Sequence, residues 1–162
     1  MGRLTQTTYP DTTTESSTYD AEGDRITSID RAARSTSYTY DALKRLTQTT
    51  YLDLTKTSTT YDAAGEVTAV TDARNTTQYQ YDAAGRRTAV IDALGHQTSF
   101  TYDAAGNQIS VTDGNGHTTQ YQYDNNNRRV KVLYADSTTD STAYDALGRT
   151  TSKTDQGGQT TQ

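Results

Sequence analysis

"YDAAGRRTAVIDALGHQTSFTYDAAGN", residues 81–107, carries the string Tyr-Asp-Ala-Ala-Gly twice, 21 residues apart, with Asp-Ala-Leu-Gly midway between the copies. Each cluster reads as a tight turn. Asp at the first position of a type I turn offers its carboxylate to a backbone N–H two residues on, and Gly at the fourth supplies left-handed backbone. Six or seven residues rich in Thr, Tyr, Val and Gln separate the turns, about 20 Å of extended chain. In "TTQYQYD", residues 76–82, Thr77, Tyr79 and Tyr81 face one way and Gln78 and Gln80 the other. Strand and turn in this alternation predict antiparallel β-hairpins laid side by side, an all-β strip with no helix.

The pattern runs through the whole chain. Tyr-Asp pairs stand at Tyr19-Asp20, Tyr40-Asp41, Tyr61-Asp62, Tyr81-Asp82, Tyr102-Asp103, Tyr123-Asp124 and Tyr144-Asp145, spaced by 21, 21, 20, 21, 21 and 21 residues. Between them a second slot holds Asp30, Asp53, Asp72, Asp92, Asp113, Asp136 and Asp155, with Asp11 ahead of the first, so only Asp24 and Asp140 of 17 Asp lie out of phase. The turn glycines are Gly23, Gly65, Gly85, Gly95, Gly106, Gly116, Gly148 and Gly158. Asn75 and Asn127 take the same place as the next most tolerant residue for positive φ. Ala33 and Lys44 depart from it, and strain or another turn type is expected there.

Aromatic residues obey a further rule. Tyr38, Tyr79, Phe100 and Tyr121 stand two residues before a Tyr-Asp tyrosine; where Ser17, Thr59 or Thr142 stands instead, the repeat carries Tyr9, Tyr51 or Tyr134 in a Tyr-x-Asp second turn. Volume conserved across one buried face predicts that the tyrosines form a packed row, with Thr and Gln on the opposite face.

Composition alone points elsewhere. Leu, Ile, Val and Phe number only 19 of 162 residues, the level of a disordered chain. The 13 Tyr, a net charge of only -5 and the strict period oppose that reading, because repeats bury their faces against their neighbours. The absence of Cys excludes disulfides and thiolate metal sites. Mild acidity argues against nucleic acid. No apolar window reaches the length of a membrane span, and "MGRLTQTTYPD" has no signal-peptide core.

Tyr-Asp-x-x-Gly at this period, with "YDALGR" at 144–149, "KRLTQTTYLD" at 44–53 and "TYPD" at 8–11, resembles the RHS, or YD-repeat, family. The resemblance covers essentially the whole chain. It implies a long antiparallel strip that spirals into a hollow shell, as in bacterial toxin-complex subunits and polymorphic toxins, with teneurins as animal relatives. It also implies a secreted or cell-surface bacterial setting. The Asp-Pro-x-Gly segment that closes RHS toxin shells is absent: the sole Pro is Pro10, and the chain finishes in "TDQGGQTTQ". Residues 1–162 are therefore expected to be a single array of about eight repeats, incomplete at both ends, with no toxin domain. In phase, Met1 matches Leu43 and Gln162 matches Gln120, so the array is either a piece of a larger shell or a unit whose ends meet another copy. Edge strands near residues 3–9 and 159–162 would mediate such self-association.

Chemistry finds little foothold. The Asp residues lack the Gly-rich nine-residue period of calcium-binding β-helix repeats, and "DGNGH" at 113–117 is only a local likeness. His96 and His117 follow equivalent glycines on one edge, but two His make a poor metal site. No Ser-His-Asp arrangement has a distinguishing context, and turn carboxylates do not suit a glycosidase pair. The sequon at Asn75 is one of many accidents in a chain about one-fifth Thr. Arg86-Arg87 and Arg128-Arg129 offer a basic patch to an anionic partner, but interleaved turn Asp residues would neutralise it, and exposed cross-strand pairing is expected instead. The expectation is a structural scaffold, with no catalytic residue, cofactor or metal. The alternative is a surface module whose Tyr and Gln rows stack glycans.

Overall fold

The computed structural model describes residues 3–162 and contains sixteen β-strands and no helix among them. The sheet order is the order of the chain, β1 to β16, each strand antiparallel to the next wherever the pairing is defined. The strands fall into two units, Met1–Gln78 and Tyr79–Gln162. The first holds β1 (Gln6–Thr8), β2 (Thr14–Tyr19), β3 (Arg25–Ile29), β4 (Ser35–Tyr40), β5 (Leu46–Thr50), β6 (Lys56–Tyr61) and β7 (Val67–Thr71). β8 (Thr76–Tyr81) runs across the boundary. The second unit continues with β9 (Arg87–Ile91), β10 (Gln97–Tyr102), β11 (Gln108–Thr112), β12 (Thr118–Tyr123), β13 (Arg129–Leu133), β14 (Thr139–Tyr144), β15 (Thr150–Thr154) and β16 (Thr160–Thr161). The all-β hairpin array expected from the period is the observed fold.

Two kinds of hairpin alternate. Those closed by a Tyr-Asp turn contain a bulge: Thr101 faces Ser110 while Tyr102 faces Gln108, so Ile109 is the extra residue on the returning strand. The same shift occurs before Tyr19, Tyr40, Tyr61, Tyr123 and Tyr144. A bulge raises local twist and re-aims the flanking side chains. The hairpins closed at the other edge are regular, as in the pairing of Ser110, Val111 and Thr112 with Gln120, Thr119 and Thr118.

One face carries the aromatics beside β-branched partners, Phe100 opposite Val111 and Tyr121 opposite Val132. The other carries hydroxyl pairs: Thr18 to Thr27 at 2.6 Å, Thr60 to Thr68 at 2.9 Å and Thr101 to Ser110 at 2.6 Å. The tyrosine row is largely covered, as expected, but not sealed from solvent. Ala89, 1% exposed, and Val132, 7% exposed, are the only fully buried apolar side chains among the described residues, and the Tyr-Asp tyrosines are half-buried. The physical reason is that among the described residues every strand belongs to one sheet, and no second layer packs over the aromatic face.

The second-turn tyrosines Tyr9, Tyr51 and Tyr134 each open a turn at the far edge, the carbonyl accepting the N–H of Thr12, Leu54 or Ser137. The hydroxyls of Tyr9 and Tyr134 reach Glu15 and Asp140, two residues before Ser17 and Thr142 on the same strand face. The expected edge strands near residues 3–9 and 159–162 are short, three residues in β1 and two in β16.

Candidate functional site: the ladder of Tyr-Asp turns

The turn at Asp82 shows the unit from which the ladder is built. Gly85 N–H donates to the Asp82 carbonyl at 3.0 Å and Asp82 N–H to the Arg86 carbonyl at 2.9 Å, a type I turn followed by one left-handed residue with φ 75° at Gly85. Asp82 Oδ1 accepts the N–H of Ala84 at 2.9 Å and of Arg86 at 3.0 Å, and Oδ2 accepts Arg86 Nε at 2.7 Å. Bonds that favour the ionised form lower its affinity for a proton. The Arg86 side chain and then its amide therefore hold the Asp82 carboxyl below the ordinary range. The same depression holds Asp124 through Arg128 and Asp103 through Asn107, while at Asp41 and Asp145 the amides of Arg45 and Arg149 lead. His96 and His117 play the Arg part at the other edge, with Nδ1 at 2.9 Å from Asp92 Oδ2 and 3.0 Å from Asp113 Oδ2.

Ala33 and Lys44 adopt the same turn as the glycines, with φ 58° and 63°, so they bear left-handed backbone instead of changing turn type. Asn127 does so as expected, at 58°. Asn75 does not. The single 20-residue interval shortens its loop by one, Asp72 N–H donates to the Asn75 carbonyl at 2.9 Å, and the left-handed residue is deleted. Asp11, Asp53 and Asp136 are displaced too: the leading tyrosine takes the first turn position and the Asp stands third. Their Oδ1 atoms accept the hydroxyls of Thr13, Thr55 and Thr138, each at 2.6 Å.

Six of the Tyr-Asp tyrosines reach back fifteen residues to a backbone carbonyl. Tyr102 Oη donates to the Arg87 carbonyl at 2.8 Å, and Tyr40, Tyr61 and Tyr123 to those of Arg25, Leu46 and Gln108 at 2.9 Å. Tyr19 and Tyr144 do the same to Leu4 and Arg129 at 3.3 Å. Arginine ties the turns together. Arg45, Arg86 and Arg128 each hold the Asp of their own turn and donate Nη1 to the Asp carbonyl of the next, Asp62 at 3.1 Å, Asp103 at 2.8 Å and Asp145 at 3.2 Å. Their guanidinium carbons lie 4.5, 4.9 and 4.7 Å from the ring centres of Tyr61, Tyr102 and Tyr144. A delocalised cation stacked on a ring while its fork donates to oxygen is a role Lys does not reproduce.

Two acids missed at the sequence level complete the other edge. Tyr9 Oη donates to Glu15 at 2.9 Å and Tyr134 Oη to Asp140 at 2.6 Å, and these bonds raise both phenol pKa values. The signal was present: Asp140 is one of only two Asp out of phase. Among the described residues no three His, Cys, Asp or Glu side chains gather as a metal-binding group. No described helix is long and apolar enough to cross a membrane.

Such a chain is a β-hairpin repeat protein whose polar side chains join one repeat to the next. The RHS Repeat family matches residues 19–56, 61–97, 88–118 and 102–139, and the chain belongs to that family. Among solved structures it is similar to a Tc holotoxin pore of Photorhabdus luminescens, with 20% identity and TM-score 0.68, over 90% of this chain and 9% of that one. It is similar also to TcdB2-TccC3-Cdc42, with 19% identity and TM-score 0.67 over 90% and 9%, and to TcdB2-TccC3, with 20% and 0.66 over 93% and 10%. The chain thus spans about a tenth of the length of these chains. No curated protein matches it. Family and fold are those of a structural repeat scaffold.

Proposed function

We propose that residues 1–162 form one continuous, non-catalytic array of wall, placed beside neighbouring repeats of a larger secreted or cell-surface RHS assembly. One observation carries this reading: the Asp carboxylates, Tyr hydroxyls and Arg forks of the ladder are consumed by contacts within and between turns. Groups held in this way serve stability and register. The Tyr-Asp pairs and turn glycines are accordingly structural residues. The test is a graft, in which the aligned stretch of a TcdB2-TccC3 chain is exchanged for this one. Particles of normal outline by electron microscopy support the reading, and failure to assemble with the graft folded overturns it.

A second reading, end-to-end association of copies, draws on the exposed edges of β1 and β16. Sedimentation velocity over a hundredfold concentration range tests it, and an unchanging monomer refutes it. A glycan-binding role draws on Tyr51 alone, which is 46% exposed in a cleft with Asp30, Arg34 and Leu52. Arginine already covers the ring faces of Tyr61, Tyr102 and Tyr144, leaving no comparable platform there. Loss of glycan-array binding on Tyr51→Ala would support that role, and no array binding at all would dismiss it.

A further inference from the structure

Five pairs of consecutive Tyr-Asp turns lie inside one unit or the other, and they obey a pairing rule. The rule links the residue that closes one turn to the left-handed residue of the next. Where the closing residue is Arg45, Arg86 or Arg128, the left-handed residue that follows is Gly65, Gly106 or Gly148. A Cβ added to Gly65 or Gly148 would make ordinary contact, 3.8 or 3.7 Å, with the guanidinium already there, and one added to Gly106 would meet nothing within 4 Å. It is therefore the charge of a Lys beside Arg, not its volume, that the pairing opposes. Where the closing residue is Asp24 or Asn107, the next left-handed residue is Lys44 or Asn127, and the two side chains bond. Lys44 Nζ lies 3.4 Å from Asp24 Oδ2, and Asn107 Nδ2 donates to Asn127 Oδ1 at 2.8 Å.

Arg149 has made half of this contact. Its Nε donates to Asp145 Oδ2 at 2.7 Å, as in the other turns, yet its side chain is 75% exposed against 27% for Arg128. Among the described residues no tyrosine ring or turn carbonyl meets its outer face. We propose that Arg149 is a docking and specificity residue: the β15–β16 end accepts the Tyr-Asp-x-x-Gly turn of another RHS repeat segment and rejects a turn with Lys in the glycine place. The occupant follows from continuity with the contact made at Arg45, Arg86 and Arg128. A second copy of this chain offers no such turn at its leading end. Its first one is already taken, with Arg3 5.5 Å from the Tyr19 ring centre and Tyr19 Oη on the Leu4 carbonyl. This inference rests on the scaffold reading and adds to it the choice of neighbour.

The test appends a copy of residues 100–117 directly after Gln162. That sets its tyrosine 16 positions after Arg149, the interval from Arg86 to Tyr102. Arg149→Ala removes the exposed bond to Asp145 in both chains. It is expected to lower the melting temperature of the extended chain by about 2–4 °C more than that of the natural chain, the size of one further contact in a chain of this length. Gly106→Lys in the appended copy should abolish that difference, and pairing it with Arg149→Asp should restore it, as in Asp24 with Lys44. In the unaltered extended protein the Arg149 Nε–H signal should move upfield over the ring, a readout independent of any variant. Equal losses in natural and extended chains, or an unmoved signal with the hairpin ordered, overturn the inference. Free amide exchange throughout the appended hairpin would overturn the scaffold reading instead. Concentration-dependent dimers of the natural chain that Arg149→Ala dissolves would assign the site to a second copy and refute the proposal.

Discussion

Leu54→Gly is expected to stabilise the protein, although it removes an entire side chain. Leu54 has φ 65° and is 79% exposed, and only its backbone N–H holds the turn, donating to the Tyr51 carbonyl at 2.9 Å. An L-residue in left-handed backbone costs about 1–2 kcal/mol. Glycine returns that energy but adds about 0.5–1 kcal/mol of unfolded-state freedom. The difference is a gain of about 0.5–1 kcal/mol, or about 1–4 °C in melting temperature. Lys44→Gly relieves the same backbone, at φ 63°, yet forfeits the contacts of its Nζ with Asp24 and the Glu22 carbonyl. An exposed pair contributes about 0.2–1 kcal/mol, so this variant should be close to neutral. Urea titration of the two variants beside the parent decides the matter. A destabilised Leu54→Gly, or a Lys44→Gly that gains as much, refutes the reasoning.

Tyr123→Phe, which deletes the bond to the Gln108 carbonyl, should cost about 0.5–1.5 kcal/mol in chemical denaturation, and Tyr123→Ala roughly twice that or more. The turn carboxylates Asp82, Asp103 and Asp124 have folded pKa values below their unfolded values. The stability they confer is therefore whole above about pH 4 and lost as pH falls through the folded values. Urea midpoints should be level from pH 7 to 5 and lower at pH 3; equal midpoints at pH 5 and 3 would contradict this. Chelation by EDTA should leave the melting curve in place, because Asp82 Oδ1 and Oδ2 are both occupied by their own turn. A fall of several degrees would point to a bound cation.

The all-β class, the hairpin order and the positions of the Tyr-Asp turns were legible in the chain because they depend on local chemistry. Asp at the head of a turn, Gly or Asn in left-handed backbone and a two-residue alternation act over six residues at most. The displaced acids were legible as well: counting Tyr51 and Tyr134, instead of Asp53 and Asp136, restores the 21-residue interval at the second edge. Tertiary structure decided which turn meets which. Arg128 reads as a surface cation until its fork is seen on the Asp145 carbonyl and its plane on Tyr144, 16 residues on. Lys44 reads as a breach of the glycine rule until Asp24, from the turn before, is beside it. The depth of burial was likewise beyond the sequence. A row of tyrosines promises a core by composition, but among the described residues no second layer packs over the single sheet, so the row is largely covered without being sealed.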